Sequence, residues 1–145
     1  MSKMTLNIAA MQEDFFSDAT LIGIVSPVPA YYFCWMLNEH FDMNFSRDAE
    51  LDICVQSAPD QQNYFAIYQY CLPLNGARYL LYKLKNEKQT LLPEVKQLDY
   101  LWMIQSPTST HHAQQITDHL RTLPDVQLAQ VLEPQKLKNI GNLLM

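Results

Sequence analysis

Two carboxylic acids and a phenol lie close together in the segment 92–100, which reads LPEVKQLDY. Glu94, Asp99 and Tyr100 could carry out acid–base chemistry if they line one cavity, because proton transfer requires each group within hydrogen-bond reach of the substrate. Carboxyl groups in apolar surroundings often have shifted pKa values, which is typical of functional sites. These three residues are therefore candidates for a ligand-binding or catalytic pocket.

The same segment also has a structural interpretation. Pro93 can begin one helical turn, and Glu94 would be favoured by the free N–H groups of that turn. Asp99 lies within an apolar strand, where a carboxylate must be paired or hydrogen-bonded, so we expect it to accept backbone N–H groups of the Pro93 turn. Alternation along the strand places four side chains on one face: Leu98, Tyr100, Trp102 and Ile104.

Histidine and cysteine spacing does not indicate metal or covalent chemistry. His111 and His112 lie eight and seven residues before His119, or roughly 10–12 Å along a helix axis, which is too far for one ion with bonds of about 2 Å. The cysteines, Cys34, Cys54 and Cys71, are odd in number and form no C-x-x-C motif. We therefore expect no metal, no cofactor, no catalytic residue and buried, unreactive thiols.

Composition excludes several functional classes. The chain has 145 residues, 10 Lys+Arg against 15 Asp+Glu and a net charge of −5, which fits one globular domain over residues 1–145. The acidic balance argues against nucleic-acid binding and against anionic membranes. There is no apolar run of the ~18 residues that a membrane span needs, and no secretory signal pattern, so we expect a cytoplasmic protein.

Hydrophobic periodicity predicts an α+β domain with a mainly antiparallel sheet and about three helices on one face of it. Strands are predicted at 5–9, 20–25, 51–56, 64–72, 77–84, 98–104 and 126–132. Helices are predicted from Ser26-Pro27 to about residue 41, from 106–109 to about 123, and briefly after Glu133-Pro134. In the first helix, one stripe holds Tyr31, Cys34, Leu37, Asn38 and Phe41, and Trp35 lies beside it, so we expect a wide buried face that includes Tyr31 and Trp35.

Asn75-Gly76 predicts a hairpin between 64–72 and 77–84. A two-residue loop pairs Tyr70 with Leu81 and Tyr68 with Lys83, although Pro73 leaves the loop length open. One face then carries Tyr64, Tyr68, Tyr70, Leu72, Tyr79 and Leu81, and the other carries Phe65, Ile67, Cys71, Leu80, Tyr82 and Leu84.

Both hairpin faces are largely apolar, whereas a sheet with one solvated face should alternate more cleanly. Three explanations stay open: the protein's own helices cover the sheet, a second copy or another protein covers it, or Tyr68, Tyr70 and Tyr79 stack on bases or aromatic ligands.

The segment Leu92-Pro93-Glu94…Leu98-Asp99-Tyr100 resembles the signature of the bacterial IPExxxVDY family, with Leu in place of Ile and of Val. Two further segments resemble that family: 21–24, and 32–38 followed by Arg47 and Leu51. The resemblance covers about residues 15–105. It implies no reaction, so Leu92, Pro93 and Leu98 are treated as structural members of the motif.

Taken together, the sequence favours a non-catalytic interaction module that acts as a homodimer or binds another protein. A small-ligand binder or enzyme with a pocket of Glu94, Asp99 and Tyr100 is the alternative. A protein that binds RNA through its tyrosines is a second alternative. The sequence identifies no small-molecule ligand.

Overall fold

The structure is a computed structural model that describes residues 18–47, 50, 52–58, 61–71, 77–85, 90–106, 108–134, 137 and 143. The predicted strand at 5–9 lies outside the described residues, as does most of the predicted helix after Pro134. Within the described residues the fold has a six-stranded antiparallel sheet, a separate two-stranded sheet and two α-helices. The predicted α+β class with a mainly antiparallel sheet is confirmed.

The main sheet has the strand order β2-β5-β6-β7-β1-β8. Its strands are β1 (Ala19–Val25), β2 (Ser46–Arg47), β5 (Ile67–Cys71), β6 (Arg78–Lys83), β7 (Tyr100–Gln105) and β8 (Leu128–Leu132). The smaller sheet pairs β3 (Ile53–Ala58) with β4 (Gln61–Phe65). β1 lies between β7 and β8. The first strand of the described residues is therefore hydrogen-bonded on both sides to strands from the last third of the chain.

Both helices pack on one face of the main sheet. These are α1 (Ala30–Phe41) and α2 (Ser109–Leu120). Their buried side chains form one cluster with the side chains of β5, β6 and β7 that point to the same face, and Trp102 of β7 is completely buried in that cluster. Edge-on rings of Phe41, Phe45 and Tyr79 surround Trp102, at centroid distances of 5.3–5.7 Å. Among the described residues, the two α-helices therefore lie on the same face of the sheet, where about three helices were predicted.

The opposite face of the sheet is covered by segments that are not α-helical. Phe65, Ile67, Leu80, Tyr82 and Leu84 form a second buried cluster with side chains from residues 91–98 and with Leu137 and Leu143. The Tyr82 hydroxyl donates to the Leu143 carbonyl at 2.9 Å. The chain therefore covers most of both faces of the predicted hairpin with its own residues, although Tyr64 on one face and Cys71 on the other are exposed.

The predicted strand 64–72 is interrupted in the structure. β4 ends at Phe65 in the two-stranded sheet and β5 begins at Ile67 in the main sheet, so Ala66 joins the two sheets. The Ala66 carbonyl accepts the Lys83 N–H at 3.0 Å, which continues the β5–β6 ladder by one residue. Cys71 pairs with Arg78, which is not the register that a two-residue loop at Asn75-Gly76 gives. The predicted turn itself, with Pro73, lies outside the described residues.

The observed register pairs Tyr70 with Tyr79 and Tyr68 with Leu81, which is two residues away from the predicted pairing. Side chains alternate with a period of two, so a shift of two residues leaves each one on its predicted face. The face assignment was therefore correct for the buried residues although the pairing was wrong. Leu98 is the exception in β7, because it precedes the strand and packs in the second cluster, away from Tyr100.

Gly23 of β1 lies directly beneath Leu98. A Cβ at position 23 would lie 2.6 Å from Leu98 Cδ1, closer than non-bonded carbon atoms approach, and 3.1 Å from Leu132 Cδ1, which is a tight contact. Leu98 therefore packs closely on β1 where residue 23 has no side chain, and its methyl groups would have to shift to admit a Cβ there.

Candidate functional site

Asp99 fixes the end of β1. Its Oδ2 accepts the Ser26 backbone N–H at 2.9 Å, and its own N–H donates to the Ile24 carbonyl at 2.9 Å. Lys85 Nζ lies 3.3 Å from the other carboxylate oxygen. The expectation that Asp99 accepts a backbone N–H is correct, but the donor is Ser26 and not the Pro93 turn.

Tyr100 binds the same segment between β1 and α1, two residues beyond Ser26. Its hydroxyl donates to the Val28 carbonyl at 2.6 Å, and its ring stacks on Phe33 of α1 with centroids 4.4 Å apart and planes 6° from parallel. Burial raises the pKa of the Tyr100 phenol, and the negative charge of Asp99 raises it further. This phenol is therefore a hydrogen-bond donor to the backbone and is poorly placed to release a proton.

Glu94 lies in a short 3₁₀ turn, Pro93–Val95, and its side chain is exposed. Backbone hydrogen bonds from Val95 to Leu92 and from Leu98 to Val95, both 3.0 Å, hold the turn. Leu92 and Leu98 are buried on either side of it. The motif thus anchors the turn through its two leucines and holds residues 26–28 through Asp99 and Tyr100, while Glu94 faces solvent.

The tyrosines of the predicted hairpin face are mostly enclosed. Tyr68 and Tyr79 are buried and Tyr70 is half-buried. Burial raises the pKa of both Tyr68 and Tyr79. In this arrangement their rings pack in the core and do not form an open stacking platform.

The described part of the chain gives little support for a metal site or for a reactive thiol at Cys34. No group of three or more His, Cys, Asp or Glu there is arranged to hold a metal ion. The ring of His119 packs against Phe41 at 4.5 Å. Cys34 is buried, and burial raises the pKa of its thiol to about 11, whereas Cys71 is exposed.

The surface feature that the sequence analysis missed is on α1. Tyr31, Tyr32 and Trp35 are 73%, 40% and 56% exposed, and the rings of Tyr32 and Trp35 lie 5.7 Å apart. We call these three side chains the α1 aromatic face. The prediction that Tyr31 and Trp35 are buried was wrong.

The actual buried stripe of α1 is Ala30, Phe33, Cys34, Met36 and Leu37. A helix on a sheet surface buries one stripe of its circumference, and α1 is apolar around most of it. The sequence did contain a signal for an exposed apolar surface on α1. Eight consecutive residues from Ala30 to Leu37 are apolar, which is more than one buried stripe of a helix can hold.

Within the described residues, no helix is long and apolar enough to span a membrane. No protein-family model matches this chain, and comparisons with curated proteins and with solved structures give no significant match. The likeness of the segment 92–100 to the IPExxxVDY signature therefore stays a prediction.

Proposed function

We propose that this protein is a non-catalytic interaction module that acts as a homodimer. The observation that carries the proposal is the α1 aromatic face. Aromatic side chains are enriched at protein interfaces because they bury a large apolar area and lose little conformational freedom. Three of them side by side on one exposed helix surface are best explained by a protein partner.

The roles of Asp99 and Tyr100 support a non-catalytic protein. Both side chains are engaged with the backbone of residues 26–28, and Glu94 lies on an exposed turn. A pocket built from these three residues would require Asp99 and Tyr100 to leave those bonds, so the acid–base alternative has less support than the interaction module.

The test is the mass of the purified protein in solution, measured by sedimentation equilibrium and native mass spectrometry over a wide concentration range. We expect a concentration-dependent species of twice 16.8 kDa, about 33.6 kDa. A protein that stays at 16.8 kDa up to millimolar concentration would overturn the homodimer. A constant additional mass on the monomer would instead indicate a bound small molecule.

A further inference from the structure

We infer that the second copy docks on the α1 aromatic face through its own α1, with the two helices antiparallel and the two Trp35 side chains at the centre. This inference rests on the proposed homodimer and specifies its interface. Such a pairing uses the same patch on both copies, which is the arrangement that two-fold symmetric dimers require.

The aromatic side chains form a continuous strip along the helix. Tyr31 and Trp35 are four residues apart and therefore lie one above the other on the helix surface. Tyr32 contacts Trp35 on the adjoining side. The strip occupies the first half of α1, so an antiparallel pair that crosses at Trp35 packs the two Trp35 rings together and places Tyr31 of each copy opposite residue 39 of the other.

The charges on α1 distinguish the two orientations. The amino end has no acidic residue in its first turn and no side-chain cap, so no side chain of α1 itself offsets the positive end of the helix dipole there. Exposed Glu39 and Asp42 lie at the carboxyl end and outnumber His40, the basic residue of the last turn.

An antiparallel pair places the acidic end of each helix beside the positive amino end of its partner. A parallel pair would instead place Glu39 beside the partner's Glu39, and Asp42 beside the partner's Asp42. Like charges at such a distance disfavour association, so the charge pattern selects the antiparallel orientation.

The exposed area of the α1 aromatic face determines how strong the dimer is expected to be. Aromatic side chains bury about 150–250 Å² each, so the exposed parts of the three rings offer on the order of 350 Å² per copy. The two copies together therefore offer about 700 Å² of exposed aromatic area, below the roughly 1,200 Å² that stable interfaces bury in total. We therefore expect a weak, reversible dimer with a Kd between about 10 µM and 1 mM.

The fluorescence of Trp35 can be used to follow the formation of this interface. It has two tryptophans, and Trp102 is completely buried while Trp35 is 56% exposed. Only Trp35 is accessible to acrylamide in the monomer. We expect quenching to decrease and the emission to shift to shorter wavelength as concentration rises, with the same midpoint as the increase in mass.

Three variants separate the interface from the rest of the molecule. Trp35→Ser should weaken self-association at least about tenfold, as central aromatic residues of interfaces do. Leu128→Ser is the matched control, since Leu128 is also an exposed apolar residue but lies on β8, and it should leave the Kd unchanged. Glu39→Gln should weaken an antiparallel dimer, because it removes the negative charge near the partner's amino end, and should strengthen a parallel one, because it removes the repulsion between the two Glu39 side chains.

The outcomes distinguish this inference from the proposed function. If Trp35→Ser dimerises as tightly as the unaltered protein, the α1 interface is wrong and the homodimer stands. If Glu39→Gln strengthens the dimer, the antiparallel orientation is wrong. If the unaltered protein stays monomeric with Trp35 open to acrylamide at every concentration, both proposals fail and the face has a different partner. If Trp35 is already protected in the monomer, the chain covers the face itself and the inference is overturned.

Discussion

The carboxylate of Asp99 accepts the backbone N–H of Ser26 at 2.9 Å, across 73 residues of chain. Ser26 follows β1 and precedes α1, and its hydroxyl also donates to the Asp125 carbonyl at 2.6 Å. The adjacent Tyr100 binds Val28 and stacks on Phe33. Asp99 and Tyr100 therefore determine where α1 begins on the sheet, and with it the direction in which its aromatic face points.

Removal of the Asp99 carboxylate should destabilise the protein. Asp99→Ala leaves the part-buried Ser26 N–H without its acceptor, so we expect a loss of about 1–3 kcal/mol in the free energy of unfolding. Asp99→Asn keeps an oxygen acceptor and loses only the partly exposed ion pair with Lys85, which is worth less than about 1 kcal/mol. Urea denaturation of both variants measures the difference. Equal losses in the two variants would show that charge, and not the acceptor, is what matters.

Gly23 and Leu98 should be energetically coupled. Gly23→Ala forces a methyl group against the Leu98 side chain and should cost about 1–3 kcal/mol. Leu98→Ala alone leaves a cavity and should cost about 2–5 kcal/mol. In the double variant the new methyl group fills part of that cavity, so the combined loss should fall short of the sum by about 0.5–3 kcal/mol.

The matched control for this cycle combines Gly23→Ala with Leu91→Ala. Leu91 is buried in the same cluster but is not among the side chains that a Cβ at residue 23 would meet first. These two changes should be additive within about 0.5 kcal/mol. Strict additivity in the Gly23–Leu98 pair as well would contradict the close contact.

Stability should decline at alkaline pH because of the buried phenols. Burial raises the pKa of Tyr82 and of Tyr100, so the unfolded chain releases these protons first. Their contribution is complete below the ordinary tyrosine pKa of about 10 and is lost as the pH rises above that value. Urea midpoints measured across this range should fall.

Tyr82→Phe and Tyr100→Phe test the origin of that decline. Each variant loses one hydrogen bond and should be less stable at neutral pH by about 0.5–1.5 kcal/mol. The difference from the unaltered protein should shrink as the pH rises, since phenylalanine cannot ionise. Midpoint curves that run parallel at all pH values would exclude these two tyrosines as the cause.

Arg121 should protect the β8 edge of the main sheet from pairing with strands of other molecules. Ile24 directs its carbonyl to Asp99, so in the antiparallel ladder its partner Ala129 directs its own carbonyl away from β1. Arg121 Nε donates to that carbonyl at 3.0 Å. An open strand edge promotes pairing between molecules, so Arg121→Ala should increase light scattering with concentration.

Arg121→Lys is the partial control, because it keeps a cationic donor without the planar guanidinium, and should scatter less than Arg121→Ala. The effect should persist in a Trp35→Ser background, since β8 and the α1 aromatic face are different surfaces. A scattering increase that Trp35→Ser abolishes would place it on α1 instead.

Local patterns predicted much of the fold. The alternation in 77–84 and 98–104 assigned most buried side chains to the correct face, and the helix predicted from 106–109 to about 123 corresponds to α2 (Ser109–Leu120). The break at Ala66 was not predictable, because the change there from pairing with β3 to pairing with β2 and β6 depends on contacts between distant parts of the chain. The placement of β1 between β7 and β8 was not predictable either, since pairing over such separations depends on the packing of the whole sheet.

The candidate site was predicted less well, for a physical reason. The sequence indicated that Asp99 needs a hydrogen-bond donor, but the donor is in a segment 73 residues away. Tyr31 and Trp35 were assigned to the core because apolar character does not reveal which stripe of an almost wholly apolar helix faces the sheet. That choice is made by contacts such as Phe33 on Tyr100, which form only in three dimensions.

The position of β1 also has a consequence for synthesis on the ribosome. Its hydrogen-bonding partners are residues 100–105 and 128–132, so β1 emerges long before either neighbour exists. At about 5–20 residues per second the interval before β8 is complete is roughly 5–20 s. During that time the apolar strand ATLIGIV has no native partner, and newly made chains are most exposed to misassociation and to chaperone binding in this interval.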